Sequence, residues 1–304
     1  MRANRSRHTR LARLAVASIA VTFGAVGISA AAASTAECQG SAYLCSLRYD
    51  EVAYLTSHNA MSIKAEGWKA PNQDVSLAEQ LDFGVRALMW DLHYDNSKPL
   101  GQRTNEVFLC HALCVIGKRP LLDALTELKA WLDAHPTEVM SIIFETYVEA
   151  ADVHTAFAAA GLDPYLLDHD PAAPWPTLAT MINDGTRLVV FTDSGGGGFP
   201  GYLPVWDHAV ETPFSAKVAS DLSCRYNRGS ASNALFILNH FLTDPGPRRD
   251  RAVTINANPF LAERVASCGS EHSRPVNFVT LDFVTLGDGA AVVAALNAPP
   301  PPPP

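Results

Sequence analysis

The sequence predicts a single α/β domain, a (β/α)8 TIM-type barrel with some irregularity, on three observations. Seven short β-rich runs recur along the chain, at 52–56, 86–93, 107–111, 139–145, 187–192, 234–240 and 276–283. Most are too uniformly apolar to alternate, which is how strands read when helices cover both faces of a parallel sheet. Helical stretches such as 121–134 and 259–267 supply that cover, and the chain lacks the Gly-rich first turn of an open doubly wound sheet. An eighth strand is expected near 165–167.

Taken in order, the strands share a feature at their carboxyl ends. The first runs into Ser57-His58-Asn59, the second carries Asp91, the third ends in His111 and the fourth in Glu145. The 234–240 run ends in Asn239-His240, and the last carries Asp282. In a parallel barrel those ends lie on one rim, where such barrels place their active sites. Gly195 to Gly198 follow the 187–192 run without the Lys and Ser/Thr of a phosphate-binding P-loop, so they read as a flexible connection.

The ends of the chain read differently from its middle. Arg2, Arg5, Arg7, Arg10 and Arg13 precede an uncharged apolar run from 14 to 33, and small residues close it at Ala31-Ala32-Ala33 and Ser34-Thr35-Ala36. This is the pattern of a secretory signal over 1–36, with the barrel over 37–298 and a polyproline tail over 299–304. An uncleaved anchor is the rival reading, weakened by the Ala, Gly and Ser that dilute the run. Cleavage after Ala36 removes five of 23 basic residues and none of 31 acidic ones, taking the net charge from −8 to −13. Such a surface argues against nucleic acid as a partner and against diffuse adhesion to anionic membranes. A secreted monomer without a stable membrane anchor is expected. Six cysteines, all beyond residue 36, suit an oxidising compartment. Proximity favours Cys38–Cys45, Cys110–Cys114 and Cys224–Cys268, although six cysteines admit 15 connectivities.

Two histidines at strand ends suit general acid–base chemistry, because imidazole titrates near neutral pH. Phosphodiester cleavage uses such a pair: one group deprotonates the attacking hydroxyl, the other protonates the leaving alcohol, and a cation holds the phosphoryl oxygens. Thr56-Ser57-His58-Asn59, the stretch from Gln80 to Arg86 leading to Trp90-Asp91, Cys110-His111, and Ser141-Ile142-Ile143-Phe144-Glu145 occur in that order. Together they resemble the X region of the phosphatidylinositol-specific phospholipase C superfamily, and its secreted microbial branch of phospholipase C-like phosphodiesterases most of all. The resemblance extends over most of the chain beyond 36 through 173–178, 188–191, Asn239-His240-Phe241 and 277–282.

The resemblance implies a phosphoric diester hydrolase acting on a phospholipid or related phosphodiester, with internal hydroxyl attack giving a cyclic phosphate. It implies His58 as the base, His111 as the acid, and Asp282 as the carboxylate that orients His58. Asn59, Asp91 and Glu145 match three of four oxygen ligands of Ca²⁺-dependent members, while the fourth position holds Met89. Metal-independent members place an Arg two residues beyond the Asp, where this chain has His93. A divalent cation, Ca²⁺ or Mg²⁺, at Asn59, Asp91 and Glu145 is the expected cofactor. Arg86 is an alternative cation, but as the start of a strand it should pair with a carboxylate at the opposite end of the barrel. Trp68, Trp90, Trp175 and Trp206 read as core or loop anchors, His240 as a residue satisfied by backbone, and Asp95, Asp168 and Asp170 as solvated loop charges. Two rival functions use the same residues. One is a binding module that has lost turnover, with Met89 the trace of a dismantled site. The other is a glycosidase using Asp91 and Glu145 as its carboxylate pair.

Overall fold

The computed structural model describes residues 37–301, so the expected signal over 1–36 and the last three prolines lie outside the described residues. Ten strands form one sheet: β1 (Tyr54–Ser57), β2 (Ala87–Tyr94), β3 (Val107–Leu109), β4 (Arg119–Pro120), β5 (Met140–Thr146), β6 (Leu188–Thr192), β7 (Tyr202–Pro204), β8 (Ala209–Glu211), β9 (Leu235–His240) and β10 (Phe278–Leu281). Eight of them run parallel in the order β7-β6-β5-β2-β1-β10-β9-β8. The last strand of the chain pairs with the first, so sequence order runs once around a ring. This is the (β/α)8 barrel the sequence predicts, with one seam: β7 and β8 end the path and do not pair with each other.

Two of the eight wall strands were not those expected. The 107–111 run is no wall strand; its β3 pairs antiparallel with the far end of β2, Tyr94 opposite Val107 and Leu92 opposite Leu109, and then with β4. The 165–167 segment makes only a single bridge, Leu166 to Leu188. The missing wall strands are β7 and β8, three residues each, too short for any periodicity to show.

Side chains from the wall sort into two apolar layers. Ala87, Ile143, Val189, Phe191, Leu203, Leu235, Ile237 and Phe278 pack inside the ring. Leu88, Trp90, Ile142, Phe144, Val190, Phe236 and Val279 pack outward, where the 121–134 helix presents buried Leu121, Leu125, Leu128 and Leu132 at three- and four-residue spacing. Truncating one such leucine to alanine costs about 2–5 kcal/mol. The amino end of the ring is plugged by aromatics: Tyr49 lies 4.7 Å from Trp175 and 5.0 Å from Tyr54 between ring centroids, and its hydroxyl meets Ser141 at 2.6 Å. Arg86 sits at this end, paired with Glu138 at 2.7 Å and stacked over Trp131, as expected from its position at a strand start. Among the described residues no helix is long and apolar enough to cross a membrane.

All six cysteines are paired, as Cys38–Cys45, Cys110–Cys114 and Cys224–Cys268. In the chain-entropy model the 44-residue separation of Cys224 and Cys268 makes that bond worth about 4 kcal/mol, against about 2 kcal/mol for the four-residue separation of Cys110 and Cys114. Replacing Cys224 and Cys268 by alanine is therefore expected to lower the melting temperature more than replacing Cys110 and Cys114. Thermal melts of the two double variants check this ranking.

Candidate active site

His58 leaves β1 at the carboxyl rim, where its backbone N–H donates to Leu281 at 3.0 Å. The imidazole Nδ1 faces Asp282 Oδ1 at 2.8 Å, and the same oxygen accepts from Asn72 Nδ2 at 2.8 Å. A carboxylate oxygen can only accept, so Nδ1 carries the hydrogen and Nε2 keeps its lone pair. Asn59 Nδ2 donates to that lone pair at 3.2 Å. Phe241 lies flat against the ring, 3.7 Å between centroids and 7° from parallel. Carboxylate and ring together fix both tautomer and orientation.

His111 arrives from the antiparallel arm rather than from a wall strand. Cys110 N–H donates to Asp91 O at 3.1 Å, bringing the arm over the rim, and the Cys110–Cys114 bond closes a small loop around the histidine. Asn96 braces the loop, donating to Ala112 O and accepting from Cys114 N–H, each at 2.8 Å. Asp95, expected to be solvated, is buried and holds Lys118 at 2.6 Å, pinning the segment before Asn96. His111 Nδ1 is buried without a partner. Burial, reinforced by the neighbouring His58, holds this imidazole below its ordinary pKa, against the opposing pull of Asp282 and Glu145.

Each of these three residues precedes a left-handed turn at a residue other than glycine: Asn59 at φ 45°, Ala112 at φ 60° and Phe283 at φ 48°. Such backbone costs on the order of 1–3 kcal/mol per residue and collects at functional sites. Its effect here is to turn the chain sharply just after the side chain that must face the cavity.

That cavity has two parts. An inner one is lined by His58, Asn59, Met89, Asp91, Glu145 and Asp193, among others. A wider outer one shares His58, Asn59, Asp91 and Glu145 and adds His111. The six residues singled out in the sequence thus assemble at one rim, with Asp282 behind His58. Asp91 and Glu145 are register partners on β2 and β5. Burial, with the charges of Glu145 and then Asp193, pushes the Asp91 carboxyl well above its usual range. His93, where the resemblance expects an arginine, is stacked on Tyr147, is held below its ordinary pKa by burial against the pull of Glu145, and lines neither part of the cavity.

The expected metal site does not close. Asn59, Asp91 and Glu145 bring one amide and two carboxylates, and the Met89 thioether lines the cavity where a fourth oxygen is required. Among the described residues no three His, Cys, Asp or Glu side chains are grouped so as to hold an ion. A hard divalent cation wants six or more oxygens, so Asn59, Asp91 and Glu145 alone leave half or more of its shell to water or substrate oxygens.

Several cavity residues escape the sequence reading. Asp193, immediately after β6, obeys the same strand-end rule and could have been found by it; its Oδ1 accepts from Thr146 N–H at 2.9 Å. Glu211 ends a strand too short to recognise, and Arg228 and Lys217 lie on the connection from β8 to β9. Of the four tryptophans singled out in the sequence, Trp68, Trp90 and Trp175 are buried, whereas Trp206 is half-buried; Trp90 and Trp206 both border the inner cavity. His240 is satisfied locally, Nε2 donating to Ile255 O at 2.9 Å, and takes no part in the rim.

Comparison with known proteins identifies the family of the chain. The family model "PI-PLC X 1" matches residues 44–297. PI-PLC X domain-containing protein 1 of Arthroderma benhamiae is 30% identical over 271 residues, spanning 83% of this chain and 86% of that protein. A PI-PLC X domain-containing protein of Arabidopsis thaliana is 31% identical, and an uncharacterized secreted protein of A. benhamiae 24%; the matched region is 62% of each. A calcium-dependent phosphoinositol-specific phospholipase C from a Pseudomonas species overlays 52% of this chain, with 15% identity and a TM-score of 0.38, too partial a likeness to bear on the chemistry here. The match along residues 44–297 and the 30% identity across most of both chains make this protein a member of the PI-PLC X domain family.

Proposed function

We propose that the protein is a secreted phosphoric diester hydrolase that cleaves a phospholipid or related phosphodiester by acid–base catalysis from His58 and His111. One observation carries the reading: His58 is locked by Asp282 into the tautomer whose Nε2 bears the lone pair, engaged in the resting site only by Asn59 at 3.2 Å, beside a cavity that His111 also lines. His58 lines both parts of the cavity and His111 only the outer part. The hydroxyl-bearing head group therefore belongs in the inner part and the departing alcohol in the outer. His58 Nε2 takes the proton of the attacking hydroxyl as its oxygen bonds to phosphorus. The bond to the leaving oxygen breaks, and His111 delivers a proton to that oxygen. The product is a cyclic phosphodiester, which water opens with the two roles reversed. Asp282 stabilises the imidazolium formed on His58.

Secretion rests on the 1–36 segment together with three disulfides. A panel of lipid and water-soluble phosphodiesters, assayed with and without chelator, tests the activity. Turnover of none of them, with retained binding, is the outcome that favours the turnover-less binding module.

The depressed pKa of His111 fixes the pH dependence. A general acid must be protonated, and burial lowers the pH at which His111 gives up its proton, so the inflection of kcat/KM that belongs to His111 is expected below pH 6.5. A bound phosphate anion favours the imidazolium, so the corresponding limb of kcat should lie at higher pH. Rate profiles between pH 4 and 9 measure both. A kcat/KM plateau extending past pH 8 contradicts the assignment of His111 as acid.

A further inference from the structure

We infer that Arg228 is the cation that meets the phosphoryl oxygens in this site, in place of the metal or arginine at the family's usual positions. The inference rests on the phosphodiesterase reading above. Acid–base cleavage needs a positive group on the non-bridging oxygens; His93 and Arg86 are both placed where they cannot supply it, and the metal set is incomplete. Among the described residues Arg228 is the only Lys or Arg that lines the inner cavity, alongside His58, Asn59, Asp91 and Glu145.

Its placement is built. The guanidinium carbon lies 4.3 Å from the centre of the Trp206 ring and 4.6 Å from that of Phe214, an aromatic sandwich that holds the fork in one plane. Nε donates to Glu211, which is 2% exposed and is held from two other directions by Asn227 and Asn239. The backbone is pinned as well: Arg228 O accepts from Glu211 N–H at 3.1 Å, and the next residue bridges Val210. That next residue is Gly229, at φ +82°, where a Cβ would stand 2.1 Å from Ala209 O. Only glycine lets this loop press against β8. With Nε spent on Glu211, the two terminal nitrogens donate to no protein group among the described residues. They leave a planar pair of donors, the pattern that matches two oxygens of a phosphate.

Lys217, on the same connection, is the competing cation, since it lines the outer cavity with both histidines. Its ammonium is exposed on a flexible stem with no anchoring partner among the described residues, so it would have to be ordered at each turnover. Arg228 is already in place, and preorganisation is what charge stabilisation requires.

The test compares wild type with Arg228→Met, Arg228→Lys, Lys217→Met and His58→Ala, with EDTA present throughout. Arg228→Met leaves Glu211 buried without its partner, so the Arg228→Met/Glu211→Gln pair is included to keep a folded protein in hand. Two quantities are read: affinity for inorganic phosphate by calorimetry, and kcat/KM on the diester panel. Arg228→Met and the double variant are expected to lose phosphate affinity tenfold or more and kcat/KM by about 10²–10³-fold, Arg228→Lys to recover part of it, and Lys217→Met to cost less than tenfold. The inference is overturned if the folded Arg228 variants bind phosphate and turn over within threefold of wild type while His58→Ala is inactive, a result that leaves the phosphodiesterase reading standing. If wild type cleaves no diester, phosphate affinity alone decides: equal binding by wild type and the double variant overturns the inference.

Discussion

His58→Ala and His111→Ala are each expected to lower kcat/KM on a cleaved diester by at least about 10²-fold, and by up to about 10⁴-fold, the range for a positioned general acid or base. The double variant should lose little more than the worse single one, because the two proton transfers serve one reaction and residues acting as a unit are strongly non-additive. His58 carries the greater structural role, as it covers Phe241 and engages Asp282. Melting of His58→Ala therefore has to be checked beside its rate. His111→Ala removes a ring whose Nδ1 has no protein partner, so its fold should be indifferent to the change. A folded variant of either kind retaining more than a tenth of wild-type activity disproves the two-histidine mechanism.

Asp282→Ala should come next in size, on the order of 10³-fold or more, through loss of both orientation and charge. Asp282→Asn is the more informative change. In the wild type a single oxygen, Oδ1, accepts from both His58 and Asn72, so an asparagine can present its own Oδ1 to the same two donors. The tautomer then survives and only the negative charge behind the imidazolium is lost. The asparagine variant is thus expected to be at least tenfold more active than the alanine one. Equal rates would mean that charge, and not orientation, is the whole contribution of Asp282.

The wall strands of four or more residues were legible because burial on both faces writes an apolar run of recognisable length. The three-residue strands β7 and β8 were not, since nothing so short carries a period. The 107–111 run misled for the opposite reason. Val107, Phe108 and Leu109 are buried, yet burial does not tell a barrel strand from an arm folded back on its neighbour. His58, Asp91, Glu145 and Asp282 could be found because strand ends in a parallel barrel converge by construction. His111 was found at the rim although its route there was misread. Arg228 carries no local signal: a loop residue acquires its meaning from Trp206, Phe214 and Glu211, separated from it by 14–22 positions in the sequence and joined to it only by the fold.

The seam between β7 and β8 has a consequence for how these molecules meet one another in solution. A barrel ordinarily leaves no free backbone for a neighbouring chain to pair with, and here the two strands that end the path are each three residues long. On its far side β8 is already covered by the 227–229 loop, which exchanges backbone hydrogen bonds with Glu211 and bridges Val210, and β7 ends in Pro204, which offers no N–H. The one-turn helix Val205–His208 links the two strands. A foreign strand would find too few donors and acceptors to hold it, and short or proline-bearing edges are a means by which sheet proteins avoid edge-to-edge aggregation. The ring can therefore stay unclosed without making the chain prone to polymerise.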